Sequence, residues 1–222
     1  MGNEASKPPP QKHLALVLSE PLVVQPFPIA VVDVRHCSPT PVEFEISNES
    51  TPRFVVRDPT TKAICFYQER KCFRSRKTLM DVRERGFQIP ILNLKLVSFS
   101  SEMIIRTGPD DTLPQLLKME AKVRLDTMEM ETSFVDLTTG ERCYMGVEGN
   151  WRLHQAFLWL SRGSSSAERE AVARVWAPGG NAYTGNEVYT LTIAPNVDVV
   201  FILSVCMALD TQWLVYQCQR DM

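Results

Sequence analysis

Apolar and polar positions follow two rhythms along the chain. Between residues 27 and 193 the apolar residues come in short runs of period two, as in Val42-Glu43-Phe44-Glu45-Ile46, broken by Pro, Gly, Asp and Thr. Successive side chains of a strand point to opposite faces, so such runs predict half-buried β-strands. Phe27-Pro28-Ile29-Ala30-Val31-Val32 leads into them. Strands are predicted at 42–46, 54–58, 63–66, 78–81, 87–89, 91–96, 119–125, 128–135, 153–160, 171–176 and 188–193. A short helix is predicted at 113–118, and residues 109–111 and 161–166 read as loops.

After Pro195-Asn196 the rhythm changes. Residues 197–209, Asp198 and Ser204 apart, are apolar on every face of a helix, and a helix apolar all round must be buried. As a helix this segment covers ~20 Å, short of the ~30 Å hydrocarbon core of a bilayer. Asp198 at one end, and Asp210, Thr211 and Gln212 at the other, are costly at membrane depth. The pattern therefore predicts a core helix rather than a span. The whole reads as mainly β (α+β): a closed antiparallel β-barrel of about twelve strands around a buried hydrophobic C-terminal α-helix. Closure removes exposed strand edges, and the helix fills the interior.

Three times an apolar strand closes on Asp, passes a polar turn and resumes, at Asp58, Asp81 and Asp136. Asp caps such a turn through its side-chain oxygens, and Gly86 and Gly140 supply positive φ. The irregular spacing argues for hairpins rather than a solenoid.

Composition narrows the function. The apolar fraction of 44% and charged fraction of 23% are those of a globular chain. A net charge of −2 argues against a general nucleic-acid binder. Cys37, Cys65, Cys72, Cys143, Cys206 and Cys218 lie scattered with no C-x2-C pair, and His13, His36 and His154 stand apart, so reduced thiols are expected and no metal site. The polar, Pro-rich N-terminus lacks the apolar run of a secretory signal, so a cytoplasmic location is expected.

Met1-Gly2-Asn3-Glu4-Ala5-Ser6-Lys7 fits the pattern for N-myristoylation at Gly2. Residues 1–26 read as a flexible arm and 27–222 as the folded domain, with Pro8-Pro9-Pro10 a stiff spacer and residues 14–18 docking as a strand or short helix. One myristoyl chain binds membranes only marginally, with K ~10⁴ M⁻¹, so a second attachment is needed.

The strongest chemical feature is a basic stretch. From Arg53 to Arg85 there are ten cations, Arg53, Arg57, Lys62, Arg70, Lys71, Arg74, Arg76, Lys77, Arg83 and Arg85, against Asp58, Glu69, Asp81 and Glu84. Arg70, Lys71, Arg74, Arg76, Lys77, Arg83 and Arg85 are the candidate anionic-lipid site. Guanidinium groups grip phosphate by forked hydrogen bonds, and each cation near an anionic leaflet is worth ~1 kcal/mol. The same charges also serve as a solvated barrel face.

Enzyme chemistry lacks support. No Gly-rich phosphate loop, H-E-x-x-H or G-x-S-x-G occurs. Asp110-Asp111 and the Glu129, Glu131 pair read as solvated acids, and His154 as a structural histidine among aromatics. No catalytic residue and no cofactor is expected.

Phe27-Pro28-Ile29-Ala30-Val31, the strand-Asp-turn-strand units, Gly149-Asn150-Trp151 and the run from Tyr189 through Pro195-Asn196-Val197-Asp198 together resemble the LURP-one-related family, with fungal-type members nearest. That family shares its fold with Tubby proteins and phospholipid scramblases. The resemblance, over roughly residues 27–210, implies a twelve-stranded barrel around a hydrophobic C-terminal helix. It carries no catalytic residues. The chain departs from the pattern where the usual Asp-x-x-Gly turn is Asp58-Pro59-Thr60-Thr61, and the stretch 98–116 is looser. Phosphoinositide binding by Tubby proteins and scramblase action at membranes are analogies of fold.

The expectation is thus a non-enzymatic Tubby-like module, reversibly held at the cytoplasmic face of a membrane by Gly2 acylation and by anionic phospholipid or phosphoinositide. Its partners would be that lipid and an unidentified protein, with no nucleic acid and no metal. Two alternatives stand beside it: a soluble scaffold or stress- and defence-related interaction protein, and scramblase-like lipid transport.

Overall fold

In the computed structural model, which describes residues 19–49, 54–70, 76–83, 87–97, 102–109, 112–124, 127–177 and 188–220, twelve strands among those residues close into one antiparallel barrel. They are β1 (Val42–Asn48), β2 (Phe54–Arg57), β3 (Ile64–Arg70), β4 (Arg76–Asp81), β5 (Ile89–Leu96) and β6 (Glu102–Thr107). The second half contains β7 (Gln115–Arg124), β8 (Thr127–Val135), β9 (Arg142–Asn150), β10 (Gln155–Arg162), β11 (Glu170–Trp176) and β12 (Val188–Ile193). Each strand pairs with the next, and β12 returns to β1 with Phe44 opposite Leu191 and Ile46 opposite Tyr189. Period-two burial is clear on β8, where Met128, Met130, Thr132 and Phe134 are buried between exposed Glu129, Glu131, Ser133 and Val135. Pro90, which has no N–H for a ladder, sits where the β4–β5 register shifts between Leu79 and Met80.

One helix, α1 (Val199–Arg220), fills the barrel. Every residue from Val199 to Trp213 is buried, Ser204, Asp210, Thr211 and Gln212 included. At 3.6 residues per turn, a helix lying on one sheet face would expose part of each turn, so the wall surrounds these four turns. Phe201 packs on Phe134 with ring centroids 4.7 Å apart. The helix is longer than its sequence pattern suggested. It does not stop at Leu209 but runs 22 residues, about 33 Å. Length and a mean hydropathy of 1.7 would therefore permit a span, and the burial, not the length, identifies a core helix.

The start of α1 is tied down by one carboxylate. Asp198 Oδ1 accepts from the Phe201 amide (3.1 Å), capping the helix. Its Oδ2 accepts from three successive amides, Val31 (3.1 Å), Val32 (2.7 Å) and Asp33 (3.3 Å). Asp136 accepts from the Ala30 and Thr138 amides and the Thr139 hydroxyl at 2.7–3.1 Å. Burial alone would raise its carboxyl, but these donors outweigh it, and the group titrates below its ordinary range. The Asp58 turn has the same frame: Lys62 N–H donates to Asp58 O (2.9 Å) as Gly140 N–H does to Asp136 O (2.8 Å). The left-handed position is Gly140 (φ 73) in one and Lys62 (φ 59) in the other, so the missing glycine is replaced by a strained lysine.

Three expectations need correction. Residues 113–118 are not a short helix. Gln115 begins β7, and Leu117 and Met119 are buried while Lys118 and Glu120 are exposed, a period of two that Pro114 opens. In the stretch that read as loose, β6 forms with Met103 and Ile105 inward. β10 also begins later than predicted, because Trp151–Leu153 makes a 3-10 turn capped by Asn150.

Outside the wall, Leu22 packs on Phe157, Trp159 and Ala171. Val23 N–H donates to Ala171 O (2.8 Å), and Gln25, fully buried, donates to Glu170 (3.1 Å). Trp159 also lies against Gly146, where an added Cβ would come within 2.8 Å of Met130 O as well.

Candidate functional site

With the lumen filled, chemistry is left to the outer wall and the two barrel ends. At one end lie the caps of Asp198 and Asp136. At the other, β3, β5 and β9 finish, β4 and β10 begin, and the last turns of α1 emerge. Leu214 to Gln217 are half-buried there, and Cys218 to Arg220 are exposed.

Just inside this helix-exit end a polar cluster gathers on Asp210, which is 3% exposed. Oδ1 accepts from the Trp151 indole N–H (2.9 Å). Oδ2 accepts from the Tyr189 hydroxyl (2.9 Å) and the Asn48 amide (3.1 Å). His154 Nε2 lies 3.5 Å from Oδ1, and its ring stacks on Tyr189 at 4.1 Å. His154 holds a left-handed backbone, φ 47, as the C-cap of the Trp151–Leu153 turn. One carboxylate thus pins the helix to β1, β12 and the 3-10 turn. Charge-assisted bonds of this kind are about twice as strong as neutral ones. Next along the helix, Thr211 donates to Met207 O (2.6 Å) and accepts from Lys77 Nζ (2.5 Å). Gln68 Nε2, Gln212 Oε1 and Trp213 Nε1 are buried without a hydrogen-bond partner among the described residues.

The same end brings cations together. Arg70 on β3 stands directly opposite Lys77 on β4, and Arg76 on β4 directly opposite Lys95 on β5. Lys77 faces the helix, as its bond to Thr211 requires, so Arg76 and Lys95 take the outer face. Directly opposite residues have Cβ atoms ~5 Å apart, and like charges so placed destabilise the sheet. Glu69 is the acid in the adjoining stretch of β3. Of the sequence-predicted set, Arg70, Arg76 and Lys77 lie at this end, but on two faces: Lys77, in register with Arg70, is turned to the helix and Arg76 to the outside. Lys71, Arg74 and Arg85 lie outside the described residues, as does Gly2. Arg83 is beyond the opposite end of β4, where it donates to both Asp81 oxygens at 2.6–3.1 Å and lies 4.5 Å over the Phe66 ring. Lys95 was missed in the sequence, since nothing local links it to Arg76 nineteen positions earlier.

Around Arg83 a cleft of about 470 Å³ is lined by Asp33, Arg35, His36, Asp81 and Ile89 among others. Both guanidinium groups there are forked onto aspartates, Arg35 to Asp33 (2.7 Å) and Arg83 to Asp81 (2.6 Å). The Arg35 side chain holds the Asp33 carboxyl down to about 2. Among the described cysteines all are free thiols. Burial pushes Cys37 up to about 12 and Cys143 up to about 11, and raises Cys206 well above the ordinary thiol range, so none of these three is poised as a nucleophile.

No curated protein matches this chain in sequence. The X-ray structure of an Arabidopsis thaliana protein superposes with a TM-score of 0.57, at 22% identity over 82% of this chain and 98% of that one, a likeness of fold. The profile of the LURP-one-related family matches residues 44–210. That match begins on the second inward residue pair of the β1–β12 seam and ends on the aspartate that pins the helix, and the chain belongs to the LURP-one-related family.

Proposed function

We propose that the protein is a non-enzymatic binding module that docks reversibly on the cytoplasmic face of a membrane. A myristoyl group on Gly2 would supply one attachment, and anionic phospholipid or phosphoinositide held by the β3–β5 corner the other. The observation that carries this reading is the register that sets Arg76 directly opposite Lys95 on the outer face of the β4–β5 pair. A phosphate placed between the two would accept charge-assisted hydrogen bonds from both. Lys71 and Arg74 belong to the residues joining β3 to β4 and would add to the same corner.

Removing Arg76 and Lys95 together is the direct test, because both face outward, away from the helix. At ~1 kcal/mol per cation, Arg76→Ala with Lys95→Ala is expected to weaken sedimentation with phosphatidylserine-containing vesicles about 30-fold. Unchanged binding would remove the corner from consideration. A second reading, a protein-interaction module with no lipid role, is favoured by exposed Phe27, Val34 and Leu137 near the other end. Intact mass of the native protein separates the two, since only the first requires a myristoyl adduct.

A further inference from the structure

We propose that the cleft beside Arg83, at the barrel end where α1 begins, binds a small phosphate monoester, with the phosphate on Arg35 and Arg83 and the apolar body of the ligand against β5. This site is independent of the cation corner at the opposite end.

Two copies of one short motif build the cleft. Asp33-Val34-Arg35 and Asp81-Val82-Arg83 lie far apart in the chain and adopt the same bonding. In each, the aspartate Oδ1 accepts the backbone N–H of the arginine, at 2.9 Å in both. In each, the arginine Nε and Nη2 fork onto the carboxylate, with Nη2 at 2.7 Å from Asp33 and 2.6 Å from Asp81. Both motifs line the same cleft of about 470 Å³, a volume within the range of small-molecule sites, about 300–1,000 Å³.

Stability does not account for the pairing. An exposed ion pair adds little to a fold, and the Arg35 side chain is 83% exposed. The effect of each aspartate is to fix a direction. Guanidinium is a planar fork of five donors, and the bonds to the aspartate take up one edge of it. Arg83 Nη1 has no partner among the described residues, and the Phe66 ring 4.5 Å away supports the plane of that guanidinium. A ligand therefore meets arginines that have already given up their rotamer freedom, which lowers the entropy cost of binding. The walls are fixed as well. The Val32 amide donates to Asp198 (2.7 Å), and Ile89 is paired with Asp81 in the β4–β5 ladder. Val32, Ile89 and Ile91 give the cleft an apolar side.

The two pairs cancel in charge, so the cleft selects by the direction of its donors rather than by net field. His36 belongs to the same lining. Bonds from Arg35 hold the Asp33 carboxyl down; in Asp81 burial pushes up, and the bonds from Arg83 more than offset it. His36 depresses both a little further, so its ring stands within charge range of both pairs. A carboxylate presents two oxygens, enough for one fork. A phosphate monoester presents three, enough for Arg35, Arg83 and His36 together.

The test is calorimetric titration of the full-length chain with phenyl phosphate. Saturable binding is expected, with benzoate several-fold weaker. Arg35→Gln should bind about tenfold more weakly at an unchanged Tm, since that side chain is exposed. Asp33→Asn keeps an acceptor for the Arg35 amide but releases the guanidinium, so it too should weaken binding. Simple charge attraction gives the reverse, because a negative charge leaves the cleft. No saturable binding to the parent chain, benzoate binding as tightly, an unaffected Arg35→Gln, or tighter binding by Asp33→Asn would each overturn the site. Dihexanoyl phosphatidic acid, titrated alongside, separates the sources of the phosphate. Tighter binding than phenyl phosphate assigns the site to a lipid headgroup and weaker binding to a soluble ester, and either supports it.

Discussion

Asp210 has more partners than its sequence context suggests. It breaks an apolar run, and on that ground alone it reads as the end of a helix. In the fold it is the acceptor for Trp151, Tyr189 and Asn48, which lie 59, 21 and 162 positions away. No spacing rule joins such residues, so the cluster was illegible, although its aspartate and histidine were both noticed. Removing the carboxylate leaves three buried donors unmet. Asp210→Ala is expected to cost ~3–5 kcal/mol, and Tyr189→Phe, which deletes one donor and leaves the acceptor, only ~1 kcal/mol. Urea unfolding of the two variants checks the order, and equal costs would mean that the cluster does not pin the helix. Asp136 gives a pH signature. Its carboxyl is depressed in the fold, so the stability it contributes is fully present above the ordinary Asp value of ~3.9 and is lost as pH falls through the lower folded value. Asp136→Asn should therefore have a lower Tm at neutral pH and a shallower loss of Tm below about pH 4. Asp33, Asp58 and Asp81 are depressed too, so the acid limb should flatten rather than vanish. An unchanged slope would remove Asp136 from the acid response.

At the scale of elements, the pattern of apolar positions was legible where it was long. β12 and β8 announce themselves by alternation, and α1 by being apolar on every face. β6 and β7 were misread because Met103-Ile104-Ile105 and Leu116-Leu117 are short apolar runs, whose period is undefined until neighbouring strands impose one. The end of α1 was misplaced for a different reason. Asp210, Thr211 and Gln212 look like a stop, yet Asp210 and Thr211 are satisfied by the barrel wall, so the helix continues. Since α1 is the filling of the lumen, its interior contacts should dominate stability. Phe201 is 1% exposed and packed against Phe134, the two rings tilted by 60°. Phe201→Ala is expected to cost ~3–5 kcal/mol, with a urea midpoint shifted down at unchanged slope. A small cost would mean that the lumen collapses easily around the helix, contrary to a wall fixed by twelve closed pairings.

At the scale of the molecule, two attachments of different physics are proposed, and salt separates them. A myristoyl chain holds by apolar transfer, which added salt does not weaken. The cation corner holds by charge. Its reach falls from ~10 Å at 0.1 M to ~3 Å at 1 M ionic strength. Vesicle binding of the acylated protein should therefore fall as salt rises and level off at the affinity of the acyl chain alone. The Arg76→Ala, Lys95→Ala variant begins lower, falls less, and should meet the parent curve at ~1 M salt. Gly2→Ala should behave in the opposite way, retaining the steep salt dependence and losing the plateau. If parent and double variant stay separated at high salt, Arg76 and Lys95 support the fold or an apolar contact rather than a headgroup, and the charged corner is a solvated wall. If Gly2→Ala keeps the plateau, the apolar attachment comes from elsewhere on the chain, and the emergent turns of α1 with Leu214, Val215 and Tyr216 are the next segment to truncate.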